Sequence, residues 1–444
     1  MLPGRHQRPP PMIDSAAFRH RRARIADSLP LENALLLVAA GDPIPLPETS
    51  DQHYPYRAHA DYRYLAGIEA PGAVLAFDPA DGPESGWVSF VPRVTADERI
   101  WEGRRQPPGR PIDELAAWLE TRTGRPICNL GARLPDLPAS AELEAACRQA
   151  LLHARRPKDA EEIALIRRAV EATAAGFAAL PAHARAGQTE RAIQIELEAA
   201  FFRHGADRTG YDTIVAAGPD AAVLHFPPGP RTAAPGDFLL IDAGAEVQRY
   251  VADVSRTFVI GSPTPLQRDL HQLVLETELE AIDRCRPGVE WRDIHLGAAL
   301  RLTAGLVDLG LLRGEPASLV EQRVHLLFFP HGIGHMVGLG VRDASGTAPG
   351  RPKSSDPALR ALRCDFPLEA GYVMTVEPGL YFIPPLLDDP EHRRRHRDTV
   401  NWERVDRCKH LGGIRIEDNI LIKPEGPPEI LTAAIPRHLI ALPA

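Results

Sequence analysis

The chain has 444 residues, more than a single hydrophobic core usually serves, so its length predicts two or three domains. Hydrophobic residues make up 44% of it and charged residues 25%, as in soluble globular proteins, and no apolar run reaches the roughly 18 residues of a membrane span. The net charge is −8 without a basic stripe, which argues against nucleic acid as the main partner.

The start of the chain and its cysteines bear on the compartment. The first residues, MLPGRHQRPPP, lack the apolar segment of a signal peptide, and we predict a flexible tail over 1–11. The five cysteines are scattered and form no CxxC pair. This pattern predicts neither a disulfide framework nor a thiolate zinc site, and it favours a reducing cytoplasm.

The first third of the chain alternates between strand and helix patterns. ALLLVAAG, AVLAFDP and WVSFVPR are typical of strands, whereas IDELAAWLETRTG, closed by Gly124, and SAELEAACRQALLHARR are typical of helices. We predict an α/β domain over 12–153, with the domain boundary near Ala154.

The remainder, 154–444, shows another pattern. Long helices such as TERAIQIELEAAFFRHG are separated by the strand-like runs FLLIDAG, YVADVSRTFVI, YVMTVEPGLYF and GGIRIEDNILI. This order predicts an α+β domain with a mixed or antiparallel sheet. A long polar insertion follows YVMTVEPGLYF and is expected to be functional or disordered, with its EHRRRHR cluster in a solvated loop.

Two aspartates interrupt apolar runs in LLIDAGAEVQRYVADVSRTF. If the runs form a hairpin centred between Val247 and Gln248, then Asp242 and Asp253 are cross-strand partners. Opposed Cβ atoms lie roughly 4.5–5.5 Å apart, and like charges there destabilise a sheet. Such a pair requires a cation between the carboxylates, a shared proton or a different hairpin.

Three further motifs carry acidic or imidazole groups. HGIGHMVGLG contains His331 and His335, MTVEPGLYF contains Glu377 at the end of an apolar run, and GGIRIEDNI places Arg415 and Glu417 on one strand face. Taken singly, a core histidine, a solvent-facing acid and an exposed ion pair explain them equally well. Taken together, the four carboxylates and one imidazole balance two divalent cations and suit Mn²⁺, Co²⁺, Fe²⁺ or Zn²⁺.

These motifs resemble the metallopeptidase family of prolidase (Xaa-Pro dipeptidase) and aminopeptidase P. IDAGAEVQRYVAD, HGIGH, TVEPGLYF and GIRIEDN occur in the family's order, and YPYRAHADYRYLAGIEAPGAV resembles the N-terminal part of these enzymes. The resemblance implies a pita-bread catalytic domain and two divalent metal ions, with Mn²⁺ placed first and Zn²⁺ or Co²⁺ left open.

The resemblance also implies roles for individual residues. Asp242 would bind one metal, Asp253 and Glu417 would bridge both, and His335 and Glu377 would complete the other. Glu377 would also act as general base. The remaining positions would contact the substrate or support the ligands: His225 near the leaving proline, His331 at the tetrahedral oxyanion, Tyr211 at the rim, and Arg415 behind a metal-binding carboxylate.

The resemblance leaves two peptidase activities open. Arg363 lies fourteen residues before Glu377, where prolidases carry an arginine that grips the free carboxylate of a dipeptide, and the long insertion also resembles prolidases. ERIWEGRR resembles aminopeptidase P instead. Arg342 replaces the family's usual histidine, so it either binds a substrate carboxylate or turns to solvent or to Asp343.

We therefore expect an Xaa-Pro dipeptidase, with an Xaa-Pro aminopeptidase for longer peptides as the alternative. A non-catalytic pita-bread binding protein is a third hypothesis, which the complete ligand set disfavours. The expected partner is a small Xaa-Pro peptide, and by resemblance the N-terminal domain would serve assembly into a homodimer and cover the site.

Overall fold

The computed structural model describes residues 15–47, 51–134, 137 and 140–444. The predicted tail, 1–11, lies outside these residues. The described chain forms two compact units, one ending at Arg155 and the other beginning at Arg156. The first is α/β and the second α+β, as the sequence predicts.

The first unit is built on one mixed five-stranded sheet of order β4-β3-β2-β1-β5. Its strands are β1 (Leu35–Ala39), β2 (Val74–Phe77), β3 (Trp87–Val91), β4 (Arg110–Pro111) and β5 (Ile127–Gly131). Its helices are α1 (Ser15–Ala26), α2 (Ala60–Ala66), α3 (Ala96–Trp101), α4 (Glu114–Glu120) and α5 (Ala141–Arg155). β1 is buried along its whole length because it lies between β2 and β5. The predicted helix that Gly124 was expected to close already ends at Glu120, and Gly124 belongs to the turn that follows.

The second unit packs long helices against mixed and antiparallel sheets. Its helices are α6 (Ala160–His183), α7 (Glu190–Arg203), α8 (Pro265–Arg284), α9 (Trp291–Asp308), α10 (Pro316–Glu321), α11 (Pro384–Leu387), α12 (Pro390–Arg395) and α13 (Trp402–Asp406). α6 begins at a capping box formed by Asp159 and Glu162. Leu180 of α6 and Phe201 of α7 are fully buried in a core that includes Leu239 and Phe258 of the neighbouring sheet.

The strands of this unit are mostly short. They are β6 (Arg208–Thr209), β7 (Ile214–Ala217), β8 (Phe238–Asp242), β9 (Ala245–Val247), β10 (Tyr250–Val251), β11 (Ser255–Ile260), β12 (Gly346–Thr347), β13 (Cys364–Asp365), β14 (Val373–Val376), β15 (Gly379–Tyr381), β16 (Gly413–Arg415), β17 (Asp418–Leu421), β18 (Glu429–Ile430) and β19 (Ala441–Leu442). The sheet orders that bear on the site are β19-β11-β8-β7, β14-β17-β18 and β15-β16.

The hairpin register differs from the predicted one. Gln248 and Arg249 form a two-residue turn in which both have positive φ, so Val247 pairs with Tyr250 and Asp242 pairs with Ser255. The predicted cross-strand pairing of Asp242 with Asp253 is therefore wrong by two residues. The residues are diagonal neighbours instead, so the predicted close opposition of their charges does not arise from the ladder.

Three predicted strands are interrupted where the candidate ligands lie. YVADVSRTFVI is split at 252–254 around Asp253, YVMTVEPGLYF at 377–378 after β14, and GGIRIEDNILI at 416–417 after β16. A residue outside a ladder is free of the strict alternation of faces. The interruptions let Asp253, Glu377 and Glu417 leave the sheets and converge.

The long insertion is neither a simple loop nor unstructured. It folds into α11, α12, α13 and a final 3₁₀ turn over Lys409–Leu411. Most of the EHRRRHR cluster lies on α12, and His396 directly after it is buried. The cluster is largely exposed, as expected, but the expectation of a loop is wrong because most of it lies on a helix.

Two further sequence expectations concern cysteines and membranes. The five cysteines are free and buried. Among the described residues, no helix is both long and apolar enough to cross a membrane.

Candidate metal centre

A cavity of about 840 Å³ opens in the second unit beside the strand interruptions. Every site residue expected from the sequence lines it: Tyr211, His225, Asp242, Asp253, His331, His335, Arg342, Arg363, Glu377, Arg415 and Glu417. The fold thus brings together side chains that are up to about two hundred positions apart in the chain.

Asp253, His335 and Glu417 form the tightest group of metal-type ligands. One donor atom from each lies within 4.8 Å of the others, and the three residues are buried. His335 Nε2 lies 3.4 Å from Asp253 Oδ2 and 3.7 Å from Glu377 Oε1. These separations allow one ion to be held between an imidazole and carboxylates.

The imidazole of His335 is oriented by the neighbouring backbone. Its Nδ1 donates to the carbonyl of Met336 over 3.0 Å, so Nε2 carries the lone pair that faces the carboxylates. Its backbone N–H donates to Thr375 Oγ1, and Thr375 N–H donates to its carbonyl. A Cβ at Gly334 would overlap the carbonyl of Thr375, so the close approach of this segment to β14 requires glycine.

Glu377 is held by the same segment. Its N–H donates to the carbonyl of Ile333 over 2.8 Å, directly after β14 ends. Its Oε2 lies 3.9 Å from His331 Nδ1. The Glu377 carboxylate therefore faces both histidines of HGIGH.

Arg415 carries the buried positive charge behind the carboxylates. Its guanidinium donates to Asp242 Oδ2 over 2.6 Å, to Ser255 Oγ over 2.7 Å and to the Tyr381 hydroxyl over 2.8 Å. The hydroxyl of Tyr211 donates to the other oxygen of Asp242 over 2.6 Å. The alternative of an exposed Arg415–Glu417 ion pair is wrong, since both residues are buried and Arg415 pairs with Asp242.

His331 has a protein partner at each ring nitrogen. Nδ1 donates to the Gly332 carbonyl over 2.9 Å, and Nε2 accepts from the Tyr381 hydroxyl over 3.0 Å. Burial, together with the charge of Arg415, lowers the pKa of His331 to about 3, so the ring is neutral. In this arrangement a substrate oxyanion could reach His331 only after the ring turns.

The carboxylates concentrate negative charge in a largely buried site. Burial raises the pKa of Glu377 to about 7, although His335 and Arg415 oppose the rise. Burial also raises the pKa of Glu417 well above its ordinary value, and repulsion from Asp253 and Glu377 adds to the shift. Burial opposes a charged His335, but Asp253 and Glu377 outweigh it and raise the pKa of the imidazole.

The donor set fits divalent metal ions. Asp242, Asp253, Glu377 and Glu417 supply oxygen ligands and His335 one nitrogen, a combination that hard and borderline divalent ions accept. Arg415 alone cannot neutralise the three buried carboxylates and the half-buried one of Glu377, and bound cations would relieve their mutual repulsion.

Comparison with known families bears on this site directly. A model of metallopeptidase family M24 matches residues 164–424, more than half of the chain. The chain belongs to metallopeptidase family M24. A model of the aminopeptidase P N-terminal domain matches residues 18–142.

Individual relatives of this M24 protein agree with that assignment. This chain is 31% identical to a probable Xaa-Pro aminopeptidase of Fusarium vanettenii over 415 residues, covering 87% of this chain and 86% of the relative. It is 32% identical to a probable Xaa-Pro aminopeptidase of Talaromyces marneffei over 418 residues, covering 87% of each chain.

Solved structures share its fold along nearly the whole length. The Pseudomonas aeruginosa aminopeptidase PepP superposes with a TM-score of 0.77 at 27% identity, and each chain is covered to 96%. A zinc-substituted E. coli aminopeptidase P in complex with product gives a TM-score of 0.76 at 27% identity, covering 96% of this chain and 97% of that one. The pita-bread fold expected from the motifs is thereby confirmed.

Sequence reasoning missed three supporting residues of the M24 site. Tyr381 joins Arg415 to His331, Ser255 donates to Glu417 Oε2 over 2.8 Å, and Asn419 exchanges hydrogen bonds with the backbone N–H and carbonyl of Asp253. Each lies two to four residues from a candidate ligand, within a quoted motif. This closeness in sequence is the feature that could have identified them as supporting residues.

The basic side chains expected to contact substrate lie at the exposed edge of the cavity. Arg342 and Arg363 are exposed, and neither forms an ion pair with any residue described. Asp343 is buried and pairs with Lys158 over 3.1 Å, so the alternative that Arg342 pairs with Asp343 is wrong. His225 is exposed too, and partial desolvation of its ring at the cavity lowers its pKa, as does the charge of Arg342.

Proposed function

We propose that this M24 protein is an Xaa-Pro aminopeptidase that removes the N-terminal residue from peptides whose second residue is proline. The observation that carries the proposal is the convergence of Asp242, Asp253, His335, Glu377 and Glu417 in one cavity. The names of the relatives support the aminopeptidase over the dipeptidase that the sequence alone favoured.

The five ligands would hold two divalent metal ions, with Mn²⁺ the ion we expect first. When bound, such ions polarise the scissile carbonyl and lower the pKa of water. The chain's own contribution is positional: Arg415 and Tyr211 fix Asp242, Ser255 fixes Glu417, and the Met336 carbonyl fixes His335.

Glu377 is our candidate for the general base. Its carboxylate lies within 4 Å of both HGIGH imidazoles, which places a proton acceptor beside the ligands. His225, exposed in the same cavity, is the candidate contact to the proline side of the substrate.

A dipeptidase is the second candidate function. Arg363 favours it, because an exposed guanidinium without an ion-pair partner among the described residues can bind a free carboxylate with two donors. Arg342 offers a further positive charge at the same cavity.

The deciding experiment measures hydrolysis of Ala-Pro, its C-terminal amide and Ala-Pro-Ala by chelated protein and by protein reloaded with Mn²⁺. We expect metal-dependent release of alanine from the amide and the tripeptide. Glu377→Gln should lose at least about two orders of magnitude in kcat, because it removes a ligand and the proton acceptor.

Three other outcomes are informative. Cleavage of the free dipeptide alone would replace the proposal with the dipeptidase and give Arg363 its carboxylate role. Equal activity with and without metal would refute the metal centre. No cleavage by protein shown to contain metal would favour a binding protein with the same fold.

A further inference from the structure

A second cavity of about 570 Å³ lies beside the candidate active site. Pro330, Arg360 and Ala361 line both cavities, so the two are immediate neighbours. Pro330 immediately precedes His331 in the chain. The second cavity therefore lies next to the part of the first cavity that contains His331.

The second cavity has one wall from the insertion that the proposed chemistry does not use. Leu386, Arg395 and their neighbours come from the segment of α11 and α12, and Leu326 and Leu327 face them from the segment before Pro330. Leu326 and Leu386 are half-buried, which leaves part of each side chain open to an occupant.

The insertion is fixed in place by its own contacts. Arg393 donates to the Leu387 carbonyl over 2.8 Å, pairs with Asp406, and stacks 4.7 Å from the ring centre of Trp402. Asp389 caps α12 by accepting from two backbone N–H groups. The wall is therefore preformed.

Among the residues that the structure describes, the second cavity is lined by positively charged side chains and not by acidic ones. Arg323, Arg360 and Arg395 line it, and no aspartate or glutamate does. Arg323 is paired with Asp356 over 2.9 Å, but within the described part of the chain neither Arg360 nor Arg395 forms an ion pair. An apolar floor with unneutralised guanidinium groups suits an apolar side chain followed by a carboxylate.

We propose that the second cavity binds the residues beyond proline, and that it selects peptides carrying a carboxylate there, from an acidic side chain or the C-terminus. This inference rests on the proposed aminopeptidase function, because a dipeptide has no residues beyond proline. It assigns to the insertion a role in choosing among longer substrates.

The test compares three tetrapeptides with metal-loaded enzyme. Ala-Pro-Leu-Glu amide carries a side-chain carboxylate, Ala-Pro-Leu-Gln carries only the C-terminal one, and Ala-Pro-Leu-Gln amide carries neither. We expect one or both carboxylate peptides to exceed the neutral amide about fivefold in kcat/KM, through KM, as a few exposed charge pairs allow. The advantage should shrink in high salt.

Matched variants test whether the arginines of the second cavity cause the preference for carboxylate peptides. Arg395→Gln and Arg360→Gln should reduce the advantage to less than about twofold. The control Arg394→Gln changes the adjacent exposed arginine, which does not line the cavity, and should keep it.

The possible outcomes distinguish a failure of this inference from a failure of the proposed aminopeptidase function. If all three peptides are cleaved equally well, or if Arg394→Gln acts like Arg395→Gln, the inference is overturned and the aminopeptidase stands. If no tetrapeptide is cleaved while Ala-Pro is, both are overturned.

Discussion

Arg415 is the residue on which most of the site's order depends. One guanidinium donates to Asp242, Ser255 and Tyr381. Asp242 is itself a candidate ligand, Ser255 donates to Glu417, and Tyr381 donates to His331. The planar fork makes these three bonds simultaneously, whereas the lysine ammonium is a single point of charge on a flexible stem. A lysine at position 415 would therefore supply the positive charge but not the three simultaneous hydrogen bonds.

Arg415→Lys should lower metal affinity and kcat/KM by about 10- to 100-fold, because the carboxylate behind the metal loses its orientation. Calorimetric metal titration and peptide hydrolysis would measure both. Arg394→Gln, which changes an exposed arginine on α12, serves as the control. Unchanged metal affinity in Arg415→Lys would show that the positive charge suffices without the fork.

His325 is a buried histidine outside the site and offers a test of pH dependence. Burial lowers its pKa to about 4, and the positive charges of His295 and Arg323 add to the effect while Asp356 opposes it. The unfolded chain binds this proton near pH 6.5 and the folded chain only near pH 4. The free energy of unfolding must therefore fall as the pH drops between these values, by up to about 1.4 kcal/mol per pH unit.

His325→Phe should make that fall shallower. Neither ring nitrogen of His325 has a hydrogen-bond partner among the described residues, so the change sacrifices no bond seen there and removes the titration. Urea unfolding between pH 7 and pH 5 would compare it with the parent chain. His410→Phe, at an exposed position, is the control, and an equal slope in all three proteins would contradict the account.

Among the secondary-structure elements, the segment carrying HGIGH packs closely against β14 because residue 334 is a glycine, Gly334. Gly334→Ala would push the backbone away from Thr375, and His335 and Glu377 would move with it. We expect about a tenfold loss in metal affinity, measured as metal per chain after equilibrium dialysis, and a destabilisation of about 1–3 kcal/mol.

Gly229→Ala is the matched control for that change. A Cβ there meets only an ordinary contact, 3.5 Å from Glu190, so metal content and stability should stay near those of the parent chain. Full metal content in Gly334→Ala would show that the segment shifts without disturbing the ligands.

The strands and helices also show how much of the fold and site could be predicted from the sequence. Hydrophobic patterns located β8, β14 and α7, and the quoted motifs contained all five candidate metal ligands. The ladder interruptions at Asp253, Glu377 and Glu417 escaped prediction because apolar periodicity continues across them. The hairpin register failed because it depends on the positive φ of Gln248 and Arg249, which no side-chain pattern records.

Tertiary partners were the other part that sequence could not supply. Arg415 pairs with a carboxylate 173 positions away, although Glu417 lies beside it in the motif. Asn419 and Asp253 meet across 166 positions. Local spacing carries no record of such contacts.

At the scale of the whole molecule, metal binding should stabilise the catalytic unit. An ion that binds only the folded chain adds about 2.7 kcal/mol at a concentration one hundred times its dissociation constant. Chelation should therefore lower the melting temperature, and Mn²⁺ should restore it in a concentration-dependent way. Glu417→Gln, which removes a candidate ligand, should weaken this response, and an identical response would place the metal elsewhere.

The scattering of the ligands along the chain has a consequence for synthesis. Asp242 and Asp253 leave the ribosome long before His335, and Glu417 follows later still. A growing chain therefore cannot complete the centre until the segment that carries Glu417 has emerged and docked. A chain terminated before Glu417 is released without the full ligand set.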